Sequence, residues 1–315
     1  MLTPKPRGAL SDVLFEAMRT RPASWEDVLG TAPDHDDDGQ IALWTLYELH
    51  YRGFDDVDDA LEWQPELLQL RHDLEQAFEA QLRERHVEPD VSTPFAESFF
   101  DYVASHDGRS LASFVQRDAD ADQVRELLSM RTIYHLKESD PSAWLVPRLS
   151  VGPQAALMEL QYDEYGAGDP NRLHAHLFAR GIETCGLRSA YGAYIDDVPC
   201  VVLEQNNAMS MFGMHRRLRG AALGHLAAFE ATSSLPSRRM SQGLDRLGFP
   251  QEMIDYYEEH VEADAVHEQL AVRMVCGRLL EAEPAPIDDV YFGAFTCLDL
   301  EDRFAGAMLE AWGHE

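Results

Sequence analysis

Cysteine is scarce in this chain, and its four copies, Cys185, Cys200, Cys276 and Cys297, are spread far apart. No C-x-x-C pair occurs, which argues against a disulfide framework or a zinc ribbon and leaves buried reduced thiols. Long apolar runs are also missing: none approaches the roughly 18–20 residues that span a bilayer. The opening MLTPKPRGALSDVLFEAMRT lacks the apolar core and small-residue cleavage site of a signal peptide. A cytoplasmic protein without a membrane partner is the expectation. Positive charge is the third deficit, with 26 Lys and Arg against 56 Asp and Glu and a net charge of −30. Such a field repels polyanions, which argues against nucleic acid as a partner. There is no P-loop, no G-x-G-x-x-G after a strand and no G-x-S-x-G elbow, so nucleotide-binding and serine-hydrolase readings fall away. Alternating strands joined by hairpin turns are absent, as is any repeat of about 20–50 residues.

What the chain does have is apolar material at helical spacing. Hydrophobic residues make up 45% of the 315 residues and aromatics 10%, enough for a sizeable core. Periodicity predicts helices over 41–51, Pro65–Arg85, 93–105 and 121–134 in the first half. It predicts further helices over 152–165, 172–185, 212–233, 237–247, 251–280 and 300–312. GAGDP at 166–170, Pro199, Pro236 and EPAP at 283–286 supply the breaks. An all-α fold follows. The polar stretch 107–122 suggests a boundary, with an N-terminal helical region at 1–120 and a second domain at 121–315. The first region is expected to cover a site in the second or to form a homodimer contact. Within it, DHDDDG places Asp34, Asp36, Asp38 and Gly39 as in the first half of an EF-hand loop. The twelfth position, however, is Thr45 instead of the bidentate Glu. An acidic helix start, favoured by the helix dipole, explains the run better.

Side chains three or four apart share a helix face. In EEHVEADAVHEQLA, His260, Asp264 and His267 therefore project from one stripe, a ready set of metal ligands or else a solvated polar face. In MELQYDEYGAGDPNRLHAHLFARGIE, Glu164 ends one helix and His174 belongs to the next, whereas His176 faces elsewhere. Glu230 is a lone carboxylate in the small and apolar stretch LGHLAAFEATSSLP, and buried glutamates are rare unless paired or bound to metal. Glu138, in IYHLKESDP, reads by itself as an ordinary helix-end acid. Together these seven residues offer four carboxylates and three imidazoles. That set suits iron or manganese better than zinc. Helical bundles build di-metal carboxylate sites from such groups, but the Glu-x-x-His signature of ferritin-like proteins does not occur here.

Across 131–280 the chain resembles the haem-oxygenase-like di-iron oxidases, also known as iron-containing redox enzymes. The resemblance rests on HLKESDP, ELQYDEYGAGDPNRLHAHLF, FGMHRRLRGAALGHLAAFEATSS and EEHVEADAVHEQLA, and on the spacing between them. It implies a haem-oxygenase-like helical bundle carrying two iron ions per chain. Glu138, His174 and His267 would hold one iron, and Glu230, His260 and Asp264 the other, with Glu164 as the bridge. The implied activity is that of an O2-dependent di-iron oxidoreductase. O2 and a small-molecule substrate would be its partners, with electrons from an external donor. N-oxygenation, desaturation and oxidative C–C cleavage all occur in that family. The alternative is a small-molecule or metal-binding protein on the same scaffold without catalysis. A haem oxygenase proper would leave the seven spaced ligands unexplained.

A few further residues invite a role. Arg216, Arg217 and Arg219 in HRRLRG are either a clamp for a substrate carboxylate or partners for the abundant acids. His225 reads as a core histidine or a supporting group. Tyr162, Tyr165, Tyr191 and Tyr194 are candidates to line a pocket, though packing explains them equally well.

Overall fold

The computed structural model describes residues 1–87, 89, 94–284 and 286–314, with the helical backbone alone at 262–265. Every regular element among the described residues is helical. The first half comprises α1 (Ala9–Thr20), α2 (Glu26–Leu29), α3 (Asp36–Glu48), α4 (Pro65–Arg85), α5 (Phe95–Ala104) and α6 (Leu111–Arg117). Then come α7 (Ala121–His135), α8 (Asp140–Ala143), α9 (Val151–Glu164), α10 (His174–Thr184) and α11 (Cys200–Met214). The chain closes with α12 (Arg219–Leu247), α13 (Gln251–Gln269), α14 (Gly277–Ala282) and α15 (Ile287–Ala311). Among the described residues no helix is long and apolar enough to cross a membrane.

Polar caps decide many of the starts. Asp120 opens α7 by accepting from the backbone N–H groups of Asp122 and Gln123, while Gln123 reaches back to the Asp120 N–H. Ser110 caps α6, and Pro65 sits at the first turn of α4, where its missing N–H costs nothing. The acidic run near residue 36 is a helix start: Asp36, Asp37 and Asp38 form the first turn of α3. Asp38 is fully buried and accepts from the backbone N–H groups of Leu10, Ser11 and Asp34, so it ties the start of α1 to α3. Those three bonds overcome its desolvation and hold its carboxyl below the usual range.

Two departures from the periodicity have clear physical causes. The structure has a helix at Cys200–Met214 where no apolar stripe announces one. Its central residues, Glu204, Gln205, Asn206 and Asn207, are buried. Glu204 accepts from Arg303, and the amides of Gln205, Asn206 and Asn207 donate to Glu301, to the Val202 carbonyl and to Gln40 in turn. The break expected at Pro236 does not occur. It falls instead at His215–Leu218, and α12 runs through Pro236 for 29 residues. A proline inside a helix costs about 3 kcal/mol, and packing of α12 along α6, α13 and α15 offsets it.

The core is one cluster with members from Leu10 to Leu309, so the helices before residue 120 pack onto those after it. α3 lies on α11, and α11 in turn on α15. α13 passes directly into a π-helical segment, Leu270–Cys276, which packs on α9. α12 and α15 approach backbone to backbone. A Cβ on Gly224 would lie 1.9 Å from the Val290 carbonyl oxygen, and one on Gly293 would lie 1.8 Å from that of Ala221. The crossing has room for no side chain at either glycine. Gly224→Ala and Gly293→Ala should therefore each lower stability by about 1–3 kcal/mol through overpacking. Alanine's better helix propensity, worth up to about 1 kcal/mol, acts the other way. Urea unfolding checks the sign; an unchanged or raised midpoint would contradict the crossing.

Candidate metal centre

Glu138 lies in the turn between α7 and α8, and Pro141 follows it inside α8. Glu164 is the last residue of α9 and His174 the first of α10. Between them the backbone enters the left-handed region at Gly166 (φ 75°), Ala167 (φ 55°) and Gly168 (φ 88°). A Cβ on Gly166 would stand 2.6 Å from the Leu173 nitrogen. Glycine there lets the turn close tightly enough for Glu164 and His174 to face each other. Glu230 sits mid-way along α12. His260 and His267 are seven residues apart on α13, two helical turns, and so share a face.

The six side chains converge in two groups. Glu138, His174 and His260 form one and Glu164, Glu230 and His267 the other, each with its potential ligand atoms within 4.8 Å of one another. In the first, Glu138 Oε1 is 3.6 Å from His260 Nε2 and 3.9 Å from His174 Nδ1. In the second, His267 Nδ1 is 3.4 Å from Glu164 Oε1 and 3.5 Å from Glu230 Oε2. Glu164 faces both groups, because its other oxygen, Oε2, is 3.1 Å from His174 Nδ1. The two imidazoles of α13 thus stand the other way round from the partition that the family resemblance implies: His260 is with Glu138, and His267 with Glu230. Asp264 lies outside the residues whose side chains are described.

Burial sets the electrostatics. Desolvation by itself would raise Glu138, but the neighbouring imidazoles of His135 and His260 hold its carboxyl well below the usual range. Glu230 has weaker compensation, so desolvation, with the repulsion of Glu164, raises it despite His267. Desolvation disfavours charge on His267 too, yet Glu230, Glu164 and Asp163 overcome it and raise its pKa to about 9. His174 is raised against its own desolvation by Glu164. Three atoms aimed into the cluster, Glu138 Oε1, His174 Nδ1 and His267 Nδ1, are buried with no hydrogen-bond partner. Buried polar atoms rarely stay unpaired, since each costs about 1–3 kcal/mol. A cation among carboxylate oxygens and imidazole nitrogens satisfies all three, and this donor set suits iron or manganese.

Three supporting residues escape a reading by spacing alone. Asp163 Oδ2 accepts from His267 Nε2 at 3.0 Å, which leaves Nδ1 for the cluster. The Tyr256 carbonyl accepts from His260 Nδ1 at 2.7 Å, which leaves Nε2. His135 Nδ1 is 2.9 Å from Glu138 Oε2 and 2.9 Å from the Tyr256 hydroxyl. The available signals were local: Asp163 directly precedes Glu164, and His135 is three residues before Glu138. Other candidates lie elsewhere. His176 is exposed. Arg217 pairs with Glu79 and Arg219 with Glu283, so the acids claim both. His225 is a core histidine, its pKa pushed down to about 4 by burial. Tyr191 donates to Glu48 at 2.7 Å and Tyr194 accepts from the Arg188 N–H at 2.9 Å, away from the cluster. Tyr162 is 60% exposed and Tyr165 bonds Asp140.

Comparison with known proteins supplies the family. No curated protein matches the sequence. The family model of the iron-containing redox enzymes matches residues 125–302, which is more than half of the chain and includes Glu138, Glu164, His174, Glu230, His260, Asp264 and His267. The chain accordingly belongs to the iron-containing redox enzymes, with a haem-oxygenase-like all-α fold and an iron-dependent redox function.

Proposed function

We propose that this chain is a non-haem di-iron oxidase or oxygenase that activates O2 to oxidise a small organic molecule. The observation that carries the reading is the orientation of Glu164, whose two oxygens turn to imidazoles of different groups, His174 and His267. In this reading Glu138, His174 and His260 hold one iron, Glu230 and His267 hold the other, and Glu164 bridges them. Asp264, on the same helix as both α13 histidines, joins the set on spacing and resemblance. When bound, a ferrous pair supplies the electrons and open coordination positions for O2 reduction. Two positive ions also compensate the buried carboxylates, which otherwise depend on protonated histidines.

The chain's own groups do the rest. Asp163 and the Tyr256 carbonyl set which ring nitrogens of His267 and His260 face inward. His135 holds the Glu138 oxygen that points away from the cluster. Ser139 donates to Glu164 Oε2 at 3.0 Å and steadies it between the two groups. Reducing equivalents come from an external donor. The helices before residue 120 cover the bundle, and homodimerisation through them is part of the same proposal.

Two outcomes test this reading. After anaerobic ferrous loading, the protein should hold close to two irons per chain. Glu164→Ala should lose iron from both positions and stop O2 consumption, whereas His267→Ala should keep part of its iron. A Glu164→Ala protein that stays folded by circular dichroism and retains both irons removes the bridge. The second outcome concerns protons. A ligating imidazole must be deprotonated, while His267 in the metal-free chain keeps its proton up to about pH 9. Iron loading at pH 7 should therefore release protons, and apparent affinity should rise with pH until about 9. His267→Gln should release about one proton fewer. Indicator-dye titration measures this, and loading without any proton release contradicts it.

A further inference from the structure

Of the six side chains that converge on the cluster, five belong to helices and one does not: Glu138 stands in the turn between α7 and α8. A ligand carried on a turn needs the fixed direction that a helix supplies by itself. The backbone of the turn gives it few ties. The Leu136, Lys137 and Asp140 N–H groups donate to the Thr132, Tyr134 and Lys137 carbonyls, at 3.2, 2.9 and 3.1 Å.

The remaining ties come from other elements, chiefly the helices before residue 120. Glu48 is the last residue of α3, and Arg52 lies in the turn that follows it. Arg52 Nη2 donates to the Leu136 carbonyl at 2.8 Å and lies 3.6 Å from Asp140 Oδ2, so one guanidinium spans the turn from its first residue to its last. The Tyr191 ring centre is 4.6 Å from Arg52 Cζ, and its hydroxyl donates to Glu48 Oε1 at 2.7 Å. Lys137, directly before Glu138, is buried and pairs with the same Glu48 oxygen, with the Tyr51 ring 4.2 Å from its Nζ. Lysine is almost never fully buried unless paired. A buried ion pair says little about stability; its best-attested use is to fix register. Here it fixes the rotation of the turn, since Lys137 cannot leave Glu48 without turning its neighbour. From α9, Ser139 is tied to Glu164 and Asp140 to the Tyr165 hydroxyl, at 3.0 and 2.7 Å.

We infer that Glu48 and Arg52 are positioning residues for the metal centre. They grip the 136–140 turn so that Glu138 presents Oε1 to His174 and His260, and they make metal binding depend on helices that supply no candidate ligand. The effect on iron rests on the di-iron reading; the grip on the turn does not.

Arg52→Ala tests this, because the Arg52 side chain is 46% exposed and its removal should leave the fold intact. Arg7→Ala is the control: its guanidinium bonds the Ile195 and Val198 carbonyls, at 2.7 and 2.9 Å, and Asp37. Hydrogen exchange on the metal-free protein comes first. Arg52→Ala should speed exchange at Leu136, Lys137 and Asp140 at least about tenfold, and Arg7→Ala should not. Ferrous loading under anaerobic chelator competition comes second. Arg52→Ala should weaken one of the two irons by about 10–100-fold, the usual cost of losing a group that orients a ligand, and leave the other as in the native chain. Glu48→Gln, which keeps the shape but removes the charge facing Lys137, should weaken the same iron. In a Glu138→Ala background Arg52→Ala should cost nothing further, because it acts through Glu138; a general loss of stability would lower iron retention in both backgrounds. Unchanged exchange in the turn overturns the grip, whatever the iron does. Equal weakening of both irons, an effect that persists without Glu138, or the same effect from Arg7→Ala overturns the positioning role. Exchange that follows the expectation in a chain that takes up no iron removes the di-iron reading and supports the grip, so the two failures are distinguishable.

Discussion

Three carboxylates, Glu138, Glu164 and Glu230, are buried within reach of one another, and the organisation of the bundle around them follows from the need to compensate their charge. Their side chains are 5–9% exposed. Isolated ionised carboxylates in such a place would be strongly disfavoured and would take up protons. The chain answers with four imidazoles, those of His135, His174, His260 and His267. Glu138 is kept ionised by His135 and His260, while Glu230, less well served, is pushed up. The same interaction seen from the other side holds protons on His267 and His174. A protonated imidazole can compensate only one charge and leaves Glu138 Oε1 and two ring nitrogens unpaired. Protonated imidazoles alone are thus a partial solution to the buried charge, and the remaining polar atoms point at one another.

Holding such a cluster takes geometric precision that helices supply better than loops. Glu230 is positioned by α12, whose backbone touches α15 at Gly224 and Gly293. His260 and His267 come from one helix and are oriented by acceptors outside the cluster, the Tyr256 carbonyl and Asp163. Glu164 and His174 are joined by a glycine turn tight enough to bring two helix ends together. A π-helical segment begins three residues after His267, a type of irregularity that often accompanies functional sites in helices.

The acidic composition has a consequence inside the fold. With 26 Lys and Arg against 56 acids, cations are quickly claimed. Arg131, Arg109, Arg217 and Arg219 each close on a carboxylate. Lys137, beside Glu138 in sequence, is buried against Glu48.

The helical class was legible in the sequence because amphipathic periodicity is a local property; α4 spans Pro65–Arg85 just as its stripe indicates. Part of the cluster was legible too: Glu230 stands out as a carboxylate in a small and apolar stretch, and His260 and His267 share a stripe by spacing alone. Glu138 and His174 read by themselves as ordinary helix-end residues, because nothing local distinguishes them, and the family resemblance gave them their roles. The tertiary structure decided the rest. It put His260 beside Glu138 and His267 beside Glu230, since a shared helix face does not say which neighbour each imidazole meets. It made a helix of Cys200–Met214, whose buried polar residues find partners far away in the chain, and it carried α12 through Pro236 by packing it on three sides. Periodicity reports what each residue prefers beside its near neighbours; charge pairing and backbone approach depend on neighbours that only the folded chain brings together.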